Sequence, residues 1–168
     1  PVNPAATPEA RRLMKFLADS QGRYILSGQQ DLAWDDAVDM TKRVEAKTGR
    51  KPALLGYDLM NQFADNGSGC RQVAEALDWW RSGGIVTFCW HWRAGASLEF
   101  YTNRTDFRID LDPSSRAHAA IVADIDAAAR ALRPLADARV PVLWRPLHEA
   151  SGGWFWWGAS GPEPCIGL

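Results

Sequence analysis

The chain has 168 residues, 46% of them hydrophobic, a composition that supports one ordinary core and excludes a disordered or low-complexity protein. Its formal net charge is -1 with Lys and Arg scattered, so it carries no electrostatic footprint for nucleic acid or an anionic membrane, and a neutral partner is expected. No apolar run approaches the roughly 18 residues of a membrane span, which predicts a soluble protein.

Thr7-Pro8-Glu9 reads as an N-cap, an N1 proline and a first-turn acid, and Leu13, Phe16 and Leu17 follow at helical spacing, predicting a helix over about 8–19. RYILSG reads as a first strand. Asp31 is placed to cap a second helix with an inner face of Trp34, Val38, Thr41 and Val44, ended by Gly49. PALLGYD is a second strand, and Val73, Leu77 and Trp80 mark a helix that stops at Gly83 and Gly84. GIVTFCWHW is a third strand whose continuous apolar run suits burial on both faces.

Asp112-Pro113 repeats the cap-plus-proline start, and Ile121, Ile125, Ala128 and Leu132 form the stripe of a long helix that Pro134 is expected to close. VPVLWRPL is the fourth strand. Pro162 and Pro164 suit the start of a further helix that the remaining residues do not continue. With Pro1 in place of an initiator Met and no apolar leader after it, both ends read as cuts.

The strands begin near Tyr24, Ala53, Ile85 and Val140; the first two intervals are each one βα unit long, and the third carries an insertion over roughly Trp92 to Leu111. Four alternating βα units after an N-terminal helix admit a doubly wound sheet or a (β/α)8 barrel. Ser27-Gly28-Gln29-Gln30 lacks the GxGxxG fingerprint, which removes the main support for a dinucleotide fold. Gln29, Asp58, His91 and Glu149 each fall at the C-terminal end of a predicted strand, the face on which barrel sites are built. The fold expected for 1–168 is therefore α/β, the N-terminal half of a (β/α)8 barrel.

Glu149 follows an apolar strand and is flanked by His148 and the rings of Trp154 to Trp157. Loss of hydration there would raise its pKa toward that of a general acid, while pairing with Arg145 is the competing reading. His91 and His148 end adjacent strands and are expected to converge, as hydrogen-bonding groups for a polar ligand, as core histidines, or as metal ligands with Glu149. No HExxH is present, and Cys70, Cys89 and Cys165 show no CxxC spacing, so no metal and no cofactor is expected. Of the nine tryptophans, Trp34, Trp79 and Trp80 fit helix faces. Trp154, Phe155, Trp156 and Trp157 follow Ser151-Gly152-Gly153 in a loop where not all can point inward, and flat rings at a cleft suit sugar faces. Asp58 suits either a sugar hydroxyl or a helix cap.

RPLHEASGGWFWWG resembles the acid/base motif of glycoside hydrolase family 26, whose best known members are endo-β-1,4-mannanases, and ILSGQQ and TFCWHW resemble its other landmarks in the right order. The resemblance implies that Glu149 is the general acid/base and His148 its neighbour, with His91 near the scissile sugar and Trp154 packed beside the acid/base. Asp58, Trp92 and Trp157 then become sugar contacts. Ala150-Ser151-Gly152 departs from the family's HE(M/L)NG. The family is retaining, with a nucleophile carboxylate on the seventh strand, and no Asp or Glu here sits on a matching strand end. The expected protein is a secreted β-mannanase, with β-1,3-xylan and mixed-linkage glucan as alternative substrates, and the 168-residue chain alone is expected to be inactive. A carbohydrate-binding module is a reading from another class, disfavoured by the alternating βα pattern because such modules are usually antiparallel sandwiches.

Overall fold

The computed structural model describes residues 3–32, 39–61, 68–94, 99–101 and 112–168. Helix α1 (Pro8–Ser20) starts as its sequence predicts: the Thr7 hydroxyl accepts the Ala10 N–H at 3.2 Å, Pro8 opens the first turn, and Leu13 is buried. Strand β1 (Gly28–Gln30) is shorter than RYILSG suggests. Arg23 and Tyr24 donate their N–H groups back to the Ser20 carbonyl, so the chain turns there, and Ile25 stands 99% exposed. Pairing begins only where the Ser27 carbonyl accepts the N–H groups of Ala53 and Leu54.

Helix α2 (Met40–Thr48) is capped by Asp39, whose carboxylate accepts the Lys42 N–H at 2.9 Å, and ends on Gly49 in the left-handed conformation at φ 69°. Trp34 and Val38, expected on its inner face, lie outside the described residues. Strand β2 (Leu54–Asp58) leads through a short turn of 3-10 helix (Leu59–Asn61), and helix α3 (Ser68–Arg81) returns the chain to strand β3 (Ile85–Cys89). Helix α4 (Arg116–Asp137) precedes strand β4 (Val142–Arg145).

Three expectations about α4 are corrected. The cap of α4 is Ser115, whose hydroxyl accepts the His118 N–H at 2.9 Å, whereas Asp112 closes a turn on Ser114. Pro134 lies inside the helix. Its missing N–H strands only the carbonyl of exposed Arg130, which water can satisfy, so the helix continues to Asp137. The buried stripe is Ile121, Ala128 and Leu135, while Ile125 is 44% exposed and Leu132 half-buried. Trp144 and Arg145, at the end of β4, are exposed, while Pro146 and Leu147 beyond them are half-buried.

The four strands form one parallel sheet in the order β1-β2-β3-β4, with Gly28 facing Leu54, Gln29 facing Leu55 and Gln30 facing Gly56. Doubly wound sheets reverse direction at a switch point; sequential order is that of successive barrel units. Chain contacts divide the protein into two units, Pro1–Phe88 with Ala131–Trp144, and Cys89–Arg130 with Arg145–Leu168.

The first unit holds the sheet apart from the last residues of β3 and β4, Cys89 and Arg145. Tyr57 and Phe88 are almost wholly buried with ring centroids 5.2 Å apart, and Leu59, Val86 and Ala76 have no exposed surface. The end of β2 is fixed by α3: buried Gln72 accepts the Asp58 N–H at 2.8 Å, and the Asp58 carboxylate accepts the Met60 N–H at 2.9 Å.

The second unit is built on aromatic rings. Trp156 and Trp157 have no exposed surface, Phe155 is 2% exposed, and Trp90 and Trp92 are each 3% exposed. Its C-terminal part is a 3-10 turn (Ala150–Gly152), helix α5 (Trp156–Ala159) and helix α6 (Pro162–Gly167), so Pro162 does start a short helix.

Candidate active site

The site grows from the two chain segments that leave β3 and β4 within the second unit. His91, two residues beyond β3, and His148, three beyond β4, bring their Nε2 atoms to 3.4 Å, with rings nearly perpendicular and centroids 4.6 Å apart. The expected convergence of the two histidines is thus observed. Phe155 packs against both, at 5.2 Å from His91 and 5.4 Å from His148, and Phe100 lies 5.0 Å from His91. The His148 carbonyl accepts the Trp157 indole N–H at 2.9 Å.

Glu149 follows with φ 57° and ψ 22°, the left-handed conformation that a residue with a Cβ rarely adopts. In this turn Trp154 donates its indole N–H to the Glu149 Oε2 at 3.1 Å. Glu149 is exposed, so the loss of hydration expected from its aromatic neighbours is not observed. The glycines between them make this approach possible. A Cβ on Gly152 would fall within the Trp154 ring, and Gly153 has φ 70°.

The aromatic wall expected from WFWW is corrected in three of its four rings. Phe155, Trp156 and Trp157 are core, and only Trp154, 51% exposed, offers a face to a ligand. Burying three rings is possible because each buried indole finds a partner: Trp157 donates to the His148 carbonyl, and Trp156 to the Trp92 carbonyl at 2.7 Å. Trp92 is buried as well, donating to Asp124 at 2.9 Å. Trp92 and Trp157 therefore shape the site from behind instead of presenting a surface to sugar. Asp58 belongs to the first unit, where it is 3% exposed and makes the capping bond already described.

The absence of CxxC spacing gave Cys89 no expected role, yet it lies beside the histidines. The sulfur of this buried residue and one ring nitrogen each of His91 and His148 lie within 4.8 Å of one another. The signal was Cys89-Trp90-His91 itself, since residues two apart on an extended segment face the same side.

The arrangement joins an exposed carboxylate, a histidine pair and one exposed indole, a set suited to proton transfer beside a ring-faced ligand. Residues 2–168 match the family described as glycosyl hydrolase family 26. The chain belongs to glycosyl hydrolase family 26. It is 46% identical over 97% of its length to a mannan endo-1,4-β-mannosidase of Thermothelomyces thermophilus, covering 36% of that protein. A crystal structure of a family 26 β-(1,4)-mannanase from Podospora anserina superposes with a TM-score of 0.85 at 39% identity, over 96% of this chain and 39% of that one. A β-mannanase from a protist symbiont of the termite Reticulitermes speratus, solved with a gluco-manno-oligosaccharide, gives 0.88 at 32% identity, over 100% of this chain and 57% of that one. This family 26 chain thus spans only part of the length of the relatives it matches. Its sheet is that of a partial (β/α)8 barrel.

Proposed function

We propose that this family 26 chain carries the acid/base half of a retaining mannan endo-1,4-β-mannosidase. The observation that supports the reading most directly is the hydrogen bond from exposed Trp154 to Glu149, which anchors one oxygen of an exposed carboxylate. In this reading Glu149 protonates the glycosidic oxygen as the sugar departs and then deprotonates the incoming water. Across the 3.4 Å contact between their Nε2 atoms one of His91 and His148 donates and the other accepts, according to tautomer, and the pair orients sugar hydroxyls beside the acid. The open face of Trp154 carries the apolar face of a mannose ring.

Retention needs a second carboxylate about 5 to 5.5 Å from the first. The chain covers only 36% of the length of its Thermothelomyces relative, so the nucleophile is assigned to a carboxylate outside these 168 residues, and the isolated chain is expected not to hydrolyse mannan. Mannan is a polymer too large to enter a cell, so the working protein is secreted. Among the described residues no helix is long and apolar enough to cross a membrane.

The test is made on the protein that contains this chain in full. Glu149→Ala should lower kcat on mannan by about 10³-fold, the range of a lost general acid. An oligosaccharide with a dinitrophenyl leaving group, which departs without a proton, should still release its phenol in a rapid burst. Equal losses on both substrates would remove the acid/base role. Cleavage of mannan by the isolated 168 residues would refute the assignment of the nucleophile elsewhere, and preference for β-1,3-xylan or mixed-linkage glucan would replace the substrate.

A further inference from the structure

We propose that Cys89, His91 and His148 form a binding site for a borderline metal ion of the zinc class. Tetrahedral zinc holds nitrogen at about 2.0 Å and sulfur at about 2.3 Å, which places the two nitrogens about 3.3 Å apart and each about 3.5 Å from the sulfur. The His91 and His148 Nε2 atoms already stand at 3.4 Å, and the Cys89 sulfur lies within 4.8 Å of one ring nitrogen of each histidine. Small rotations of three side chains close this set around one ion. One thiolate and two imidazoles are the donors that zinc and cuprous ions prefer over magnesium or calcium.

The surroundings favour binding. Cys89 is 4% exposed, and Phe155 and Phe100 line the histidine pair, so a thiolate and a divalent cation would meet in a medium that screens their attraction weakly. The Trp157 indole N–H holds the His148 backbone, fixing one ligand from behind. Glu149 is not part of the set, being turned out and bonded to Trp154. Three protein ligands leave a fourth position for water. Two of the three ligands are the histidines of the proposed sugar site, so ion and sugar compete. That consequence rests on the mannanase reading, whereas the binding itself does not.

Cobalt(II) and zinc are the probes, with the purified full-length protein kept reduced. Cobalt should give a thiolate-to-metal charge-transfer band in the near ultraviolet together with tetrahedral visible bands, displaced by one equivalent of zinc. Cys89→Ser should abolish the charge-transfer band and weaken binding about 100-fold. Cys165→Ser should change neither. X-ray absorption of the zinc-loaded, unsubstituted protein should show one sulfur and two imidazole nitrogens, which keeps the question answerable if Cys89→Ser does not fold. Absence of the band, its survival in Cys89→Ser, or a zinc shell without sulfur would each overturn the site. If the site holds but zinc leaves mannan hydrolysis unchanged, the mannanase role given to the histidines fails while the metal site stands.

Discussion

Glu149 occupies the left-handed region without being glycine, aspartate or asparagine, and holding a residue with a Cβ there costs about 1 to 2 kcal/mol. The cost is placed where it aims a carboxylate, the pattern expected where strain is part of function. Two variants that both remove the carboxylate separate backbone from chemistry. Glu149→Gly should be more stable than Glu149→Ala by about 1 kcal/mol, because only glycine adopts φ 57° without penalty. Denaturant melts of the two give the difference directly, and an alanine variant at least as stable as the glycine one would show that the backbone is not strained. Trp154 makes a second residue-scale case. Its ring face is the exposed aromatic surface of the site, and a stacked ring is worth about 1.4 kcal/mol, so Trp154→Ala should raise KM for mannan about tenfold. Trp154→Phe keeps a face while losing the N–H on Glu149, and should recover most of KM but less of kcat. Equal KM values for Phe and Ala would show that the face carries no sugar.

Helix α5 is only four residues long, and its place is decided by Gly158. A Cβ on that residue would meet the backbone of Ala150, with its carbonyl carbon and Cα at 2.8 and 2.9 Å and its oxygen nearer still. Backbone cannot rotate away as a long side chain would. Gly158→Ala should therefore cost about 2 to 3 kcal/mol in a thermal or denaturant melt and disturb the turn that carries Glu149. A variant that melts like the parent would show that Ala150 yields. This element also explains a misreading. Four successive aromatics after two glycines look like an exposed loop, because four residues are too few to display a helical period. The short helix turns Trp156 and Trp157 inward and gives each indole a backbone carbonyl. By contrast, α1 and β2 were legible because cap, proline and an uninterrupted apolar run each name a specific backbone state. The first strand misled for the opposite reason: RYILSG has strand composition, yet its ladder depends on a neighbour, and Tyr24 and Ile25 make no pairing among the described residues.

At the scale of the whole molecule, the alternation of strand and helix was readable in the sequence, since each unit repeats the same period change, and so were His91, His148 and Glu149 at strand ends. Electrostatic coupling was not, because it joins positions far apart in the chain. Asp31 and Glu75, hydrogen-bonded to each other in the first unit, illustrate this. Partial burial pushes Asp31 above the usual 3.8, with the Asp39 charge adding to the shift; partial burial also pushes Glu75 above 4.5, with the Asp31 and Asp39 charges adding. Arg71 opposes both shifts and does not cancel them. Burial and the same acidic charges also push the Tyr57 hydroxyl upward. A carboxyl whose folded value exceeds its unfolded one binds its proton more tightly in the native state, so stability falls as pH rises. The contribution is complete below about pH 4 and is lost as pH climbs through the raised native values. Glu75→Gln removes one of the two acids and keeps a hydrogen-bonding amide beside Asp31. Because Glu75 keeps substantial exposure despite its partial burial, solvent screening limits the effect, and the variant should gain less than about 1 kcal/mol at pH 7 while losing part of the decline as pH rises above about 4. Melting temperature measured against pH for both proteins tests the sign. If Glu75→Gln melts lower at pH 7 and keeps the parent's slope, Glu75 is stabilising there as an ion and its raised value does not govern the pH dependence.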